Sequence, residues 1–293
     1  MRRLIVNADD FGMTRGINRA IVEGAEMGIV TSTTLMATAR AFDDAIAQAS
    51  QLASRVSIGC HVILLDGTPA LPPERVSSLL DPGQHGTAPE FRIKLNDFVR
   101  AAFFGKLNPA EVEAEAVEQM RRLLVAGIEL SHFDCHKHAH MFPAVLGPLL
   151  RAANSCGVSA VRNPFGRVFP LPFGRIVRNP KMWRRVAELG VLRNLASGFK
   201  REVAKHGLRT TDGCVGIVDT GTLDLASFLV IVDALPDGTW EFVCHPGYND
   251  AELDQVRTRL RQSRETELAV LTSHDARAAL DRRGIALISY REL

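Results

Sequence analysis

Leu4-Ile5-Val6-Asn7-Ala8-Asp9-Asp10-Phe11-Gly12 reads as a short buried strand that runs straight into two carboxylates and a turn glycine. Enzymes built on parallel sheets carry their chemistry at the carboxyl ends of strands. Three further segments repeat this layout. Val56-Ser57-Ile58 leads into Gly59-Cys60-His61, and Ile128-Glu129-Leu130 leads into His132-Phe133-Asp134-Cys135-His136-Lys137-His138-Ala139-His140. Trp240-Glu241-Phe242-Val243 leads into Cys244-His245-Pro246-Gly247-Tyr248. Four strand ends bearing Asp and His point to one site and to an enzyme.

Between these segments, short apolar runs alternate with helical stretches. Strands are expected at 4–8, 31–37, 56–64, 129–133, 159–162, 213–218, 239–243 and 286–289. Helices are expected at 17–27, 43–54, 94–104, 108–127, 143–156, 182–205, 223–234, 253–270 and 275–283. Asn108-Pro109-Ala110-Glu111 supplies an N-cap, a first-turn proline and an acid, and Ser273 supplies a cap for the final helix. Alternation of this kind implies parallel pairing through right-handed crossovers. The expected fold is α/β, a distorted or incomplete (β/α) barrel of TIM type, as a single domain over residues 1–293. Two long excursions break the pattern. Residues 66–90 are rich in Pro and Gly and suit a lid or substrate loop, and 163–180 hold four prolines.

Composition narrows the classes. The 293 residues are 46% hydrophobic and 23% charged with a net charge of +2, which leaves no basic footprint for nucleic acid. No apolar run reaches the ~20 residues of a membrane span. The first apolar run stops at Asn7, before Asp9 and Asp10, which is unlike a secretory leader. Five cysteines without framework spacing suit free thiols and a cytoplasmic location. Cys60, Cys135 and Cys244 each precede a histidine, so alternation along a strand turns them away from the site and toward the covering helices.

The strongest local signal is His132, Asp134, His136, His138 and His140 at alternate positions. On a strand they share one face, although the chain is expected to leave the strand near Asp134 and carry the later histidines around the rim. Unpaired buried polar groups cost about 1–3 kcal/mol each, and a metal ion satisfies such a row. Asp and His ligands with an open position compose a catalytic metal site. Adjacent Asp9 and Asp10 can divide the labour between base and ligand, or simply cap a turn. His245, before a tight turn, suits a general acid. Arg162, His138, His140 and Tyr248 are the expected substrate contacts, with an ordinary ion pair as the alternative for Arg162.

Taken together, these motifs resemble the YdjC-like carbohydrate deacetylase family, which includes chitooligosaccharide deacetylases and a hopanoid-biosynthesis-associated branch. The resemblance rests on Asn-Ala-Asp-Asp-Phe-Gly at 7–12, Gly-Ile-Val-Thr-Ser-Thr-Thr at 28–34, Gly-Cys-His at 59–61, Asp-Cys-His-Lys-His-Ala-His at 134–140 and Cys-His-Pro-Gly-Tyr at 244–248. It implies metal-dependent removal of an N-acetyl group from an N-acetylglucosamine-type sugar, oligomeric or lipid-linked, with release of acetate. It makes Asp10, His61 and His136 the ligands of one divalent metal ion, Mg2+ by resemblance with Zn2+ as the alternative. Asp9 becomes the catalytic base and His245 the acid. Lys137 stands where the family commonly has histidine, and His61 precedes Val-Ile-Leu-Leu-Asp-Gly, so sugar selectivity is expected to differ. Rival expectations are a metallo-phosphoesterase or amidohydrolase-like barrel, from His138-Ala139-His140, and a non-catalytic sugar-binding protein. The expected partner is a small-molecule or lipid-linked amino sugar, with a homodimer as the default assembly.

Overall fold

Strands of two to ten residues form a single sheet in the computed structural model, which describes residues 1–52, 54–83, 89–166 and 193–293. Among these residues the strands are β1 (Arg2–Phe11), β2 (Ser32–Leu35), β3 (Ser57–Val62), β4 (Leu130–Cys135) and β5 (Ala160–Val161). They continue as β6 (Arg209–Thr210), β7 (Gly213–Val215), β8 (Gly238–Cys244) and β9 (Ile285–Leu287). Every pairing among them is parallel, in the order β6-β5-β4-β3-β2-β1-β8-β7. The two ends of that path, β6 and β7, are separated in sequence only by Thr211 and Asp212. The chain itself therefore spans the open seam, and the sheet is nearly closed into a distorted TIM-like barrel. β9 pairs with Arg2–Leu4 while β2 pairs with Asn7–Phe11, so the two divide the edge of β1 that faces away from β8.

The helices pack outside the sheet: α1 (Arg15–Glu26), α2 (Phe42–Leu52), α3 (Leu95–Phe103), α4 (Pro109–Val125) and α5 (Pro143–Ser155). The later ones are α6 (Ala196–Lys205), α7 (Leu225–Ala234), α8 (Gln262–Leu271) and α9 (His274–Arg282). The expected caps form: the Asn108 side chain accepts from the Ala110 amide and Ser273 from Ala276. Cys60, Cys135 and Cys244 are free and wholly buried, as the alternation implies.

Several boundaries differ from expectation for physical reasons. β7 stops at Val215 because Gly216, at φ 90°, turns the chain out of the strand. The helix expected at 253–270 is one 3-10 turn, Leu253–Gln255, and then α8 from Gln262; the residues between line a cleft instead. β6 escaped notice because two residues carry no periodicity. Part of the helix expected at 182–205, most of the loop at 163–180, and residues 84–88 of the loop at 66–90 lie outside the described residues. The described part of that last loop is anchored by α4. Buried Glu115 accepts from the Ala70 and Leu71 amides, and Gln119 bonds both backbone groups of Ile63. No helix among the described residues is long and apolar enough to cross a membrane.

Candidate functional site

Consecutive residues on a strand face opposite sides, so Asp9 and Asp10 should not both enter the barrel. A bulge resolves this. The pairing of β1 with β2 shifts register between Ala8 and Phe11, and Asp10 takes a left-handed φ of 71°. Few non-glycine residues adopt that conformation, although aspartate is among those enriched there. Both carboxylates consequently point inward, 2% and 3% exposed.

Asp10 meets His61 from the end of β3 and His136 just beyond β4. Its Oδ1 lies 3.6 Å from His61 Nε2 and 3.6 Å from His136 Nδ1, and those two nitrogens are 3.3 Å apart. Three donors converging on one point form a group that could hold a metal ion. The surrounding side chains fit a cation. His61 Nδ1 is 2.7 Å from Asp134 Oδ1, which leaves Nε2 directed at the shared point. Arg264 donates to Asp10 Oδ2 at 2.6 Å and leaves Oδ1 for the cation. Burial would raise the Asp10 carboxyl, but Arg264 and then His136 hold it well below the ordinary range.

Behind this triad sits Arg162, from the end of β5 and wholly buried. Its guanidinium binds Asp9 through Nη1 at 2.7 Å and Nη2 at 2.6 Å, Glu241 of β8 through Nε at 2.8 Å, and also Asp134 of β4. Burial would push Asp9 up, yet the Arg162 charge and hydrogen bonds leave its carboxyl held well down and ionised. Asp9, Asp10, Asp134 and Glu241 thus surround Arg162 and Arg264, an excess of two carboxylates over guanidiniums that a protonated His61 offsets only in part. A divalent cation at the triad would cancel it. His61, flanked by Asp134, Asp9 and Asp10, is raised to about 9 against the opposing effect of burial.

The floor of this cluster is built by the chain's last residues. Tyr290 donates its hydroxyl to Glu241 at 2.5 Å and stacks on His132 with ring centroids 3.7 Å apart. His132 in turn contacts Asn7 Oδ1 at 3.1 Å, well below the triad. A side chain at Gly59 would lie 2.6 Å from the His132 ring, so only glycine admits that ring.

A cleft of about 1130 Å³ opens above, lined by Asp9, Asp10, His61, His136, His138 and His245 among others. That exceeds the ~300–1,000 Å³ of an ordinary small-ligand pocket. His245 Nε2 stands 3.8 Å from Asp9 Oδ2, and its backbone amide donates to Glu267 at 2.6 Å. Lys137 Nζ bonds Asp66 at 2.6 Å on the rim.

The histidine row behaves as its position on the strand end implies. His132 and Asp134 stay on β4. The chain then leaves the strand through left-handed Lys137 and His138, which spread the later rings apart. Three of the expected substrate contacts lie outside the cleft lining, and Arg162 takes the ion-pair alternative expected for it. Arg162 is buried among carboxylates, and His140 is buried with Nε2 3.2 Å from the Arg162 carbonyl. Tyr248 lies off the cleft, donating to Glu23 beneath the Arg19 guanidinium. Of the four, His138 alone lines the cleft. Roles for Glu241, Arg264 and Tyr290 were not foreseen. A glutamate between Trp240 and Phe242 in an apolar strand was the available signal, since such a charge is buried only when paired.

Comparison with known proteins accords with this architecture. A family model described as YdjC-like protein matches residues 3–282. A protein of Brevibacillus brevis named carbohydrate deacetylase is 30% identical over 292 residues, 99% of both chains. One of Thermoanaerobacter pseudethanolicus with the same name is 26% identical over 293 residues, 99% of this chain and 98% of the other. A solved structure from Enterococcus faecalis V583, whose description proposes cellobiose-phosphate cleavage, superposes with a TM-score of 0.77 at 26% identity. It spans 99% of this chain and 98% of that one.

Proposed function

The chain belongs to the YdjC-like family, and from that premise we propose that it is a metal-dependent carbohydrate N-deacetylase. It hydrolyses the acetamide of an N-acetylglucosamine-type sugar, oligomeric or lipid-linked, and releases acetate. The observation that carries the proposal is the convergence of Asp10, His61 and His136 beside a carboxylate, Asp9, and an imidazole, His245, in one cleft. The names of the relatives from Brevibacillus and Thermoanaerobacter support the same chemistry.

Asp10, His61 and His136 would hold the cation. When bound, a divalent ion there supplies Lewis acidity toward the acyl oxygen and toward water. Two imidazoles suit zinc, whereas magnesium, implied by the family resemblance, favours oxygen donors. Asp9 faces the cleft and takes the proton of the attacking water. Arg162 grips both its oxygens, fixes the carboxylate and lowers its basicity, so Asp9 is a weak base that needs an acidified water. His245, with Nε2 3.8 Å from Asp9, delivers a proton to the departing amine. His138 and the rim residues position the sugar.

Acetate release is the deciding assay, with N-acetylglucosamine, its short β-1,4 oligomers and a glycolipid-linked N-acetylglucosamine as substrates. Turnover abolished by a chelator and restored by one added metal supports the reading and names the ion. Chelator-insensitive release, or phosphate release without acetate, overturns it.

A further inference from the structure

α8 carries Arg264 in its first turn and Glu267 one turn later, so the two side chains leave the helix on neighbouring positions of one face. Both are buried. Arg264 donates to Asp10 and also ties the turn after β8 to the helix. Its Nη1 reaches the His245 carbonyl at 3.5 Å, and its own carbonyl accepts from the Gly247 amide at 3.3 Å. A side chain at Gly247 would come within 2.9 Å of both Arg264 and Ile17, so glycine is what lets this turn pack so closely.

Glu267 faces the same turn. Asp9, Asp10, Asp134 and Glu241 each meet a guanidinium at ion-pair distance. Glu267 does not. Its Oε2 accepts from the His245 amide at 2.6 Å and its Oε1 from the Gly221 amide at 3.5 Å, and neither donor brings a charge. Among the described residues its one ion-pair partner is the His245 ring, with Nδ1 3.9 Å from Oε2. That Nδ1 is buried and has no hydrogen-bond partner. A buried carboxylate calls for a cation, and a buried ring nitrogen calls for a hydrogen-bond partner. Each supplies what the other lacks. The opposite nitrogen, Nε2, stands 3.8 Å from Asp9, on the side of the attacking water. A gap of this length is ordinary between catalytic partners before substrate is bound, and it tightens in the complex.

We propose that Glu267 is the positioning residue of His245: it accepts a hydrogen bond from Nδ1–H, fixes the tautomer and rotation of the ring, and so keeps the Nε2 proton aimed at the departing nitrogen. The inference rests on the deacetylase reading and deepens it. As the C–N bond breaks, its electron pair stays on the sugar nitrogen and takes the Nε2 proton. The ring is left neutral, with its remaining proton on Nδ1 against Glu267.

Leaving-group dependence in the metal-supplemented full chain tests this. The amine of a chitooligosaccharide must be protonated to depart, whereas the phenolate of para-nitrophenyl acetate leaves without a proton. Glu267→Gln keeps an oxygen for the His245 amide and removes the charge. It should lower kcat on the chitooligosaccharide at least about tenfold with KM little changed, and leave para-nitrophenyl acetate within about twofold, the Asp9→Asn rate being subtracted as background. Glu267→Asp, which keeps the charge, should recover part of the loss. Equal losses on both substrates, or no loss on either, would overturn the proposal in favour of a purely structural carboxylate. A second readout needs neither turnover nor a Glu267 variant: nitrogen NMR of the wild-type ring, assigned by its disappearance in His245→Gln. A neutral His245 protonated at Nδ1 is expected, and one protonated at Nε2 overturns the proposal. Failure of the deacetylase reading looks different: no acetate from any substrate, with His245 still protonated at Nδ1.

Discussion

If Asp10, His61 and His136 hold a cation as proposed, the metal-free protein should have an alkaline limit of stability that the loaded form lacks. His61 is 2% exposed, with Asp134 at 2.7 Å and Asp9 and Asp10 close by. Burial lowers its proton affinity, but these carboxylates outweigh burial and raise it from 6.5 to about 9. A folded-state pKa above the unfolded one stabilises fully below pH 6.5, and the gain disappears as pH rises through 9. The span of roughly 2.5 units corresponds to about 3 kcal/mol, or roughly 5–10 °C of Tm for a chain of this size. A cation held by Asp10, His61 and His136 would take the place of that proton, so the loaded protein should hold its Tm across the same window and release a proton on loading. The acid side works oppositely. Burial leads the causes that hold His132, His136, His138 and His140 below their ordinary value. The unfolded chain therefore takes up protons below pH 6.5 that these rings refuse, and stability falls with pH. The assay is thermal unfolding of chelated and metal-supplemented protein from pH 5.5 to 9.5, with proton release followed in weak buffer. A chelated protein equally stable at pH 6.5 and 9 would refute the reasoning, as would a loaded form that loses as much.

Other outcomes follow from the same contacts. Asp9→Asn should lower kcat at least about a hundredfold with metal content unchanged, and near-wild-type turnover would remove Asp9 from the base role. His136→Ala should lose the metal by elemental analysis, whereas full occupancy would refute the ligand assignment. Tyr290→Phe removes the hydroxyl that donates to buried Glu241, and should lower unfolding free energy by about 2 kcal/mol without opening a cavity; an unchanged denaturant midpoint would show that the floor bears no load. Cys60, Cys135, Cys214 and Cys244 are buried and their thiols pushed up by burial, so Cys156 is the expected site of labelling in native protein. Rapid labelling of two or more thiols would contradict the packing.

What could be read from the chain alone follows the range of the forces involved. Strand ends were legible because an apolar run stopping at Asp or His is local: Ala8 to Asp10, Cys60 to His61 and Cys244 to His245 each announce themselves within a few residues. Free, inward-turned cysteines followed from alternation alone. Arg162 could not be placed that way. Its charge is satisfied by Asp9 of β1, Asp134 of β4 and Glu241 of β8, on strands far apart in the chain and brought together only by the barrel's order. The same holds for Asp10. Its entry into the site depends on a bulge and a left-handed backbone, and its sequence neighbours do not encode that choice. Long-range charge pairing also separates residues that line the cleft from those that stand behind it. A polar residue at a strand end can face the cleft or brace the residue that does, and local pattern is the same in both cases. Arg162 braces Asp9, and Tyr290 braces Glu241, which braces Arg162. Asp9 is thus held by a file of buried partners running to Tyr290. Loosening the floor should therefore affect how Asp9 is oriented before it affects whether the cleft binds sugar.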